Sequence, residues 1–211
     1  MKTVPHKRRI DLTTMKASLG AVLALSLVLT SSAHGSPMKN PDIKQNPHPR
    51  MRYELTLTIE DAPGPFDSIS GMVHYKVTNG QCVPLTPISG ATLEPEKNVP
   101  ITFTRVSDGI YKGTLYADLL QDEDYYGLGV CHWGVNTAWV SLRAKGVEFT
   151  PAIDAKELVA QKSVPTFFVK GDYFETGKER SAFGTTNRAL FQPESRTDVF
   201  SMTLRAREDF Q

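Results

Sequence analysis

The chain has 211 residues, with 24 Lys and Arg against 23 Asp and Glu, and 40% of its residues are apolar. That composition suits a globular fold and excludes a low-complexity or collagen-like chain. A formal net charge of +1 excludes a strongly basic, electrostatic nucleic-acid binder.

The N-terminus opens with Lys2, Lys7, Arg8, Arg9 and Lys16, followed by an apolar run from Leu19 to Leu29 and then Ser31-Ser32-Ala33. That order predicts a cleaved secretory signal peptide over residues 1–33, and Met15 could serve as its start as well as Met1. The apolar run is short of the roughly 20 residues that span a bilayer, so no stable membrane anchor is expected after cleavage. Asp11 stands where a twin-arginine signal would want an apolar residue, and no Cys stands at the cleavage site to take a lipid. The first 33 residues hold five of the basic residues and one of the acidic ones, which leaves 19 against 22, a mildly acidic remainder.

Residues 34–51 are polar and contain Pro37, Pro41, Pro47 and Pro49. Proline denies this stretch a helix or a central strand, so a disordered tether is expected. From 52 to 211 the pattern becomes that of one β-rich domain. Tyr53, Leu55, Leu57 and Ile59 alternate with polar residues, the period of a half-buried strand. Ile69–Thr78 predicts a second strand, and Asn79-Gly80 reads as a hairpin turn into Gln81–Val83. Val99, Ile101 and Phe103 predict the next strand, and Ser107-Asp108-Gly109 turns the chain into Ile110–Ala117. Tyr125–Trp133 is expected as a strand with glycine bulges, and Ala138, Val140 and Leu142 mark another. Asp154–Gln161 is the one fair helix candidate. Val164–Phe174 and Asp198–Ala206 close the set, while Glu175–Thr197 lacks periodicity and reads as a functional or disordered loop.

About eight strands at intervals of about ten residues predict an all-β fold, an immunoglobulin-like or related antiparallel sandwich. The two cysteines, Cys82 and Cys131, are an even number in a chain expected to reach an oxidising compartment, so a disulfide between them is predicted. Closing about 49 residues would stabilise the fold by about 4 kcal/mol in the chain-entropy picture. No Asn-x-Ser/Thr sequon occurs, which favours a periplasm over a eukaryotic secretory route.

Catalytic signatures are absent: no Gly-x-Ser-x-Gly elbow, no Walker loop and no dinucleotide fingerprint, and no cofactor is expected. His74 and His132 lack metal-ligand spacing, so no metal is expected there. The acidic run Asp122-Glu123-Asp124 reads as a solvated turn that could steer a basic partner. Beside it, Tyr125 and Tyr126 are aromatic contact candidates, as is Trp139, whose alternation against Ala138, Val140 and Leu142 points it away from the core. Trp133, next to Cys131, is expected in the core.

The placement of Cys82, Cys131 and Trp133 resembles an immunoglobulin-like sandwich, although Gly129 stands where that family carries a Tyr and the Trp follows the second Cys. The blocks Asn79–Pro87 and Asp122–Trp133 are similar to those of small exported bacterial β-sandwich proteins of unassigned role, some of them organised like periplasmic immunity proteins that inhibit toxins. This resemblance implies a protein partner, a wall-degrading enzyme for example, and transfers no functional residue. The expectation is therefore a periplasmic or secreted non-enzymatic binding protein, with Asp122, Glu123, Asp124, Tyr125, Tyr126 and Trp139 as contacts. A carbohydrate-binding accessory module that uses Trp139 is the second expectation. A hydrolase that uses His132 with a carboxylate is the third.

Overall fold

The structure, a computed structural model, describes residues 41–177 and 179–210. The expected signal peptide and the first part of the tether lie outside these residues. Among the described residues, eleven strands form two sheets packed face to face, an all-β sandwich.

The first sheet runs β4 (Thr104–Ser107), β5 (Ile110–Tyr116), β1 (Arg52–Glu60), β11 (Val199–Glu208), β9 (Ser163–Val169). The second runs β10 (Arg180–Ser181), β7 (Val147–Phe149), β6 (Trp133–Ala144), β2 (Ser68–Val77), β3 (Glu96–Ile101), with β8 (Ala152–Asp154) also paired to β6. All pairings are antiparallel except β10 on β7. Two one-turn helices, α1 (Ala155–Val159) and α2 (Lys170–Phe174), interrupt the strands.

Period-two alternation explains which faces meet. Tyr53, Leu55 and Leu57 on β1, Val73, Tyr75 and Val77 on β2, and Met202, Leu204 and Ala206 on β11 are all buried. Their polar neighbours along each strand stay on the outer faces. Phe149, Phe168 and Phe200 meet at centroid distances of 5.3–5.6 Å and fill the core, with Phe66 against two of them.

One edge is closed by a strand that changes sheets. β3 pairs with β2, and two residues later β4 pairs with β5 in the other sheet. Phe103, in the crossover, covers Gly71 of β2 and Gly113 of β5. A Cβ at Gly71 would lie 2.5 Å from the ring, and one at Gly113 3.1 Å. A side chain at Gly71 would displace the ring, and one at Gly113 would crowd it, so the two glycines let the ring span both sheets.

Several expectations are corrected. Residues 41–51 are tied to the domain and do not form a free tether. Gln45 bridges Leu120, Asn46 N–H donates to Leu119 O (2.8 Å), and the amides of Arg50 and Met51 donate to the Asp118 carboxylate at 2.9 Å each. The non-proline amides supply what the prolines withhold. The Asn79-Gly80 hairpin does not form: Asn79 has φ −118°, outside the positive region that a type I′ turn needs. Gly80–Cys82 makes a 3₁₀ turn instead, and the chain returns to β2 only at Glu96. Tyr125–Cys131 is a loop with one isolated bridge, Glu123 to Cys131, because Gly127 (φ 72°) and Gly129 (φ 108°) leave the extended region. The strand expected over Val164–Phe174 stops at Val169 and gives way to α2. The strands number eleven rather than eight, since β7, β8 and β10 have only two or three residues.

Candidate functional site

One end of the sandwich gathers the residues singled out in the sequence, with the exception of Trp139 and His74. β2 finishes there at Val77 and β6 starts there opposite it at Trp133. Two long loops leave from this point. One runs from Thr78 to Pro95, the other from Ala117 to His132, and the disulfide Cys82–Cys131 joins them with a Cα separation of 5.3 Å.

Asn79 is a second clamp between the loops. Its side-chain amide donates to Val130 O at 2.8 Å, and its carbonyl accepts from His132 N–H at 2.7 Å. The side chain thus imitates one step of a β-ladder, which explains why the Asn-Gly pair is not free to make a hairpin.

Each acidic residue of the run has a local partner. Asp122 accepts from Trp133 N–H (2.8 Å) through Oδ1 and pairs with His132 Nδ1 (2.6 Å) through Oδ2. Glu123 takes Lys44 Nζ at 3.0 and 3.1 Å, a contact that holds the Lys44 ammonium above its usual pKa. Asp124 accepts from Leu128 N–H at 3.1 Å and closes the glycine turn. The three carboxylates therefore diverge. Among the described residues no cluster of His, Cys, Asp and Glu is arranged to hold a metal ion.

Tyr125 donates its hydroxyl to Gln121 O (2.6 Å), accepts from Trp133 Nε1 (3.2 Å) and meets the Trp133 ring edge-on. Burial raises its pKa above the ordinary value, against the lowering effect of the Trp133 hydrogen bond. Trp133 itself is core, as expected from its place beside Cys131. Tyr126 is half-buried against the core. Trp139 lies elsewhere, on the outer face of β6 opposite Met72 and Ala152. At about 3.3 Å per residue it stands roughly 17–20 Å from Trp133.

His132 is exposed, and its Nδ1 is engaged by Asp122. A base oriented by a carboxylate is two thirds of a hydrolytic triad. No Ser, Thr or Cys side chain among the described residues is hydrogen-bonded to its ring. His74 is far from this pair: it faces Thr137 across β2–β6 and contacts Asn136 (3.2 Å) and Glu96 (3.3 Å) on the outer face.

The loops carry features that sequence reasoning passed over. Leu85 (66% exposed), Ile88 (101%) and Leu93 (62%) project from the first loop, and Leu128 (54%) and Val130 (46%) from the second. Leu85 bridges Thr92, and Thr86 N–H donates to Ala91 O, so Ile88 sits at the tip of a small closed turn. Short apolar residues between prolines and glycines have no periodicity, so nothing in the pattern marked them.

Comparison with known proteins finds no matching family model, no matching curated protein and no matching solved structure.

Proposed function

We propose that this chain is an exported, non-enzymatic binding protein that engages a protein partner through the two clamped loops at this end of the sandwich. The observation that carries the reading is the pairing of exposed apolar tips, Ile88 and Leu128 foremost, with loops already immobilised at their base by Cys82–Cys131 and Asn79. A rigid loop loses little conformational freedom on binding, so its apolar contacts count more fully toward affinity. The disulfide suits an oxidising compartment, and the periplasm is the location we favour. For the partner we favour a wall-degrading enzyme that the protein inhibits, in line with the resemblance to immunity-type proteins.

The test is affinity capture from cell-envelope and competitor extracts with three tagged forms: the unmodified protein, Ile88→Asp with Leu128→Asp, and Trp139→Ala. One near-stoichiometric protein, retained by Trp139→Ala and lost from the double variant, is the expected outcome. Inhibition of its action on purified peptidoglycan would establish the inhibitor role. Retention by the double variant would remove the loops from the interface. Saturable glycan binding that disappears in Trp139→Ala would replace the proposal with the carbohydrate-binding module.

A further inference from the structure

A cavity of about 570 Å³ opens beside the loop end, where residues ahead of β1, the β5–β6 connection, the start of β6 and α1 come together. Its walls are apolar: Met51, Leu120, Trp133, Val135, Leu158 and Val159. At its mouth Met51 and Val159 remain exposed, at 43% and 63%. The volume falls in the range of small-molecule sites, roughly 300–1,000 Å³.

The charged residues that line it have one sign. Asp118 and Asp122 are the charged residues of the lining, beside Asn46 and Gln121, and among the described residues no Lys, Arg or His lines it. Both carboxylates are fixed in place by backbone amides. Arg50 and Met51 N–H hold Asp118, and Trp133 N–H holds Asp122, whose other oxygen meets His132. No Lys or Arg among the described residues forms an ion pair with either. Two fixed carboxylates, of which Asp118 has no cationic partner and Asp122 shares one oxygen with His132, stand at the edge of an apolar, aromatic-containing pocket and select for a positively charged ligand. Trp133, 9% exposed, adds a small indole surface that a cation can meet.

We propose that this cavity binds a small amphiphile in which a cationic nitrogen is joined to an apolar or aromatic body. The site is distinct from the loop tips, since Ile88 and Leu128 do not line it.

The chain has two tryptophans, so Trp139→Phe leaves Trp133 as the single tryptophan, which can be excited selectively over the tyrosines. The full chain carrying Trp139→Phe is titrated with benzyltrimethylammonium and, separately, with its anionic counterpart phenylacetate. Calorimetry on the unmodified protein reads the same affinities without a substitution. Saturable binding of the cation, at least tenfold tighter than that of the anion, is expected. Ala155→Phe, which fills the cavity from α1, should abolish the response, and Asp118→Asn should weaken it several-fold, with thermal unfolding confirming that both variants fold. Equal affinity for the two probes overturns the cationic class. A response to neither probe, or one that persists in a folded Ala155→Phe protein, overturns the site.

Discussion

Asn79 shows how one side chain can redirect a segment. Its neighbour Gly80 makes the pair look like a turn, yet the Asn79 amide is bonded to Val130 O and His132 N–H across the loop junction. Asn79→Ala would release both groups to water at an exposed junction, so the loss is the net value of the two bonds, about 1 kcal/mol. Urea unfolding should show that loss, and Asn79→Asp, which keeps the acceptor for His132 but not the donor for Val130, should recover only part of it. An unchanged midpoint in the alanine variant would mean that the clamp contributes nothing. Asn136 is a second case. It is the extra residue of a β-bulge: His74 pairs with Thr137 and Tyr75 with Val135. The bulge switches which positions point inward, so Trp133 is buried before it, whereas Trp139, of the same parity, faces outward after it. Alternation along Ala138, Val140 and Leu142 was enough to orient Trp139. The inward turn of Trp133 could be read only from its neighbour Cys131.

At the level of elements, long strands were legible and the loop end was not. β1, β2, β6 and β11 each have at least nine residues with one buried face, so burial imposes a period-two pattern that the sequence displays. The segments 79–95 and 117–132 are held by side-chain amides, a carboxylate pair and a disulfide, none of which leaves a period. The acidic run illustrates the difficulty: Asp122, Glu123 and Asp124 look like one solvated patch, but each is bonded to a different part of the junction. Replacing Cys82 and Cys131 together by Ala tests this junction as a unit. The loop spans 49 residues, for which the chain-entropy model predicts a loss of about 4 kcal/mol. Hydrogen exchange should accelerate first in residues 83–95 and 122–130, while the β2–β6 amides stay protected until global unfolding. Loop amides that exchange at the native rate would assign the rigidity to Asn79 and the backbone bonds alone.

The molecule as a whole carries an alkaline liability that follows from where its tyrosines sit. Five of the seven, Tyr53, Tyr75, Tyr125, Tyr126 and Tyr173, hold their protons more tightly than a free phenol, in each case chiefly through burial. Tyr53 is pushed up to about 12, with the Glu208 carboxylate adding to the effect of burial. Tyr75 is raised further, its hydroxyl donating to Tyr116 O at 2.7 Å inside the sandwich. In the unfolded chain these groups ionise near pH 10. Above that pH the unfolded state binds fewer protons than the folded one, so stability falls as pH rises. The contribution is fully present below pH 10 and is lost progressively as pH climbs toward and past the folded values. Denaturant midpoints should therefore be flat between pH 7 and 9 and drop steeply by pH 11. Tyr75→Phe removes the most strongly shifted phenol at the loss of one buried hydrogen bond. It should lower stability at pH 7 by about 1 kcal/mol and make the alkaline decline shallower. A variant whose decline parallels that of the unmodified protein would show that the Tyr75 proton is not linked to folding, and would leave the alkaline loss to Tyr53, Tyr125, Tyr126 and Tyr173.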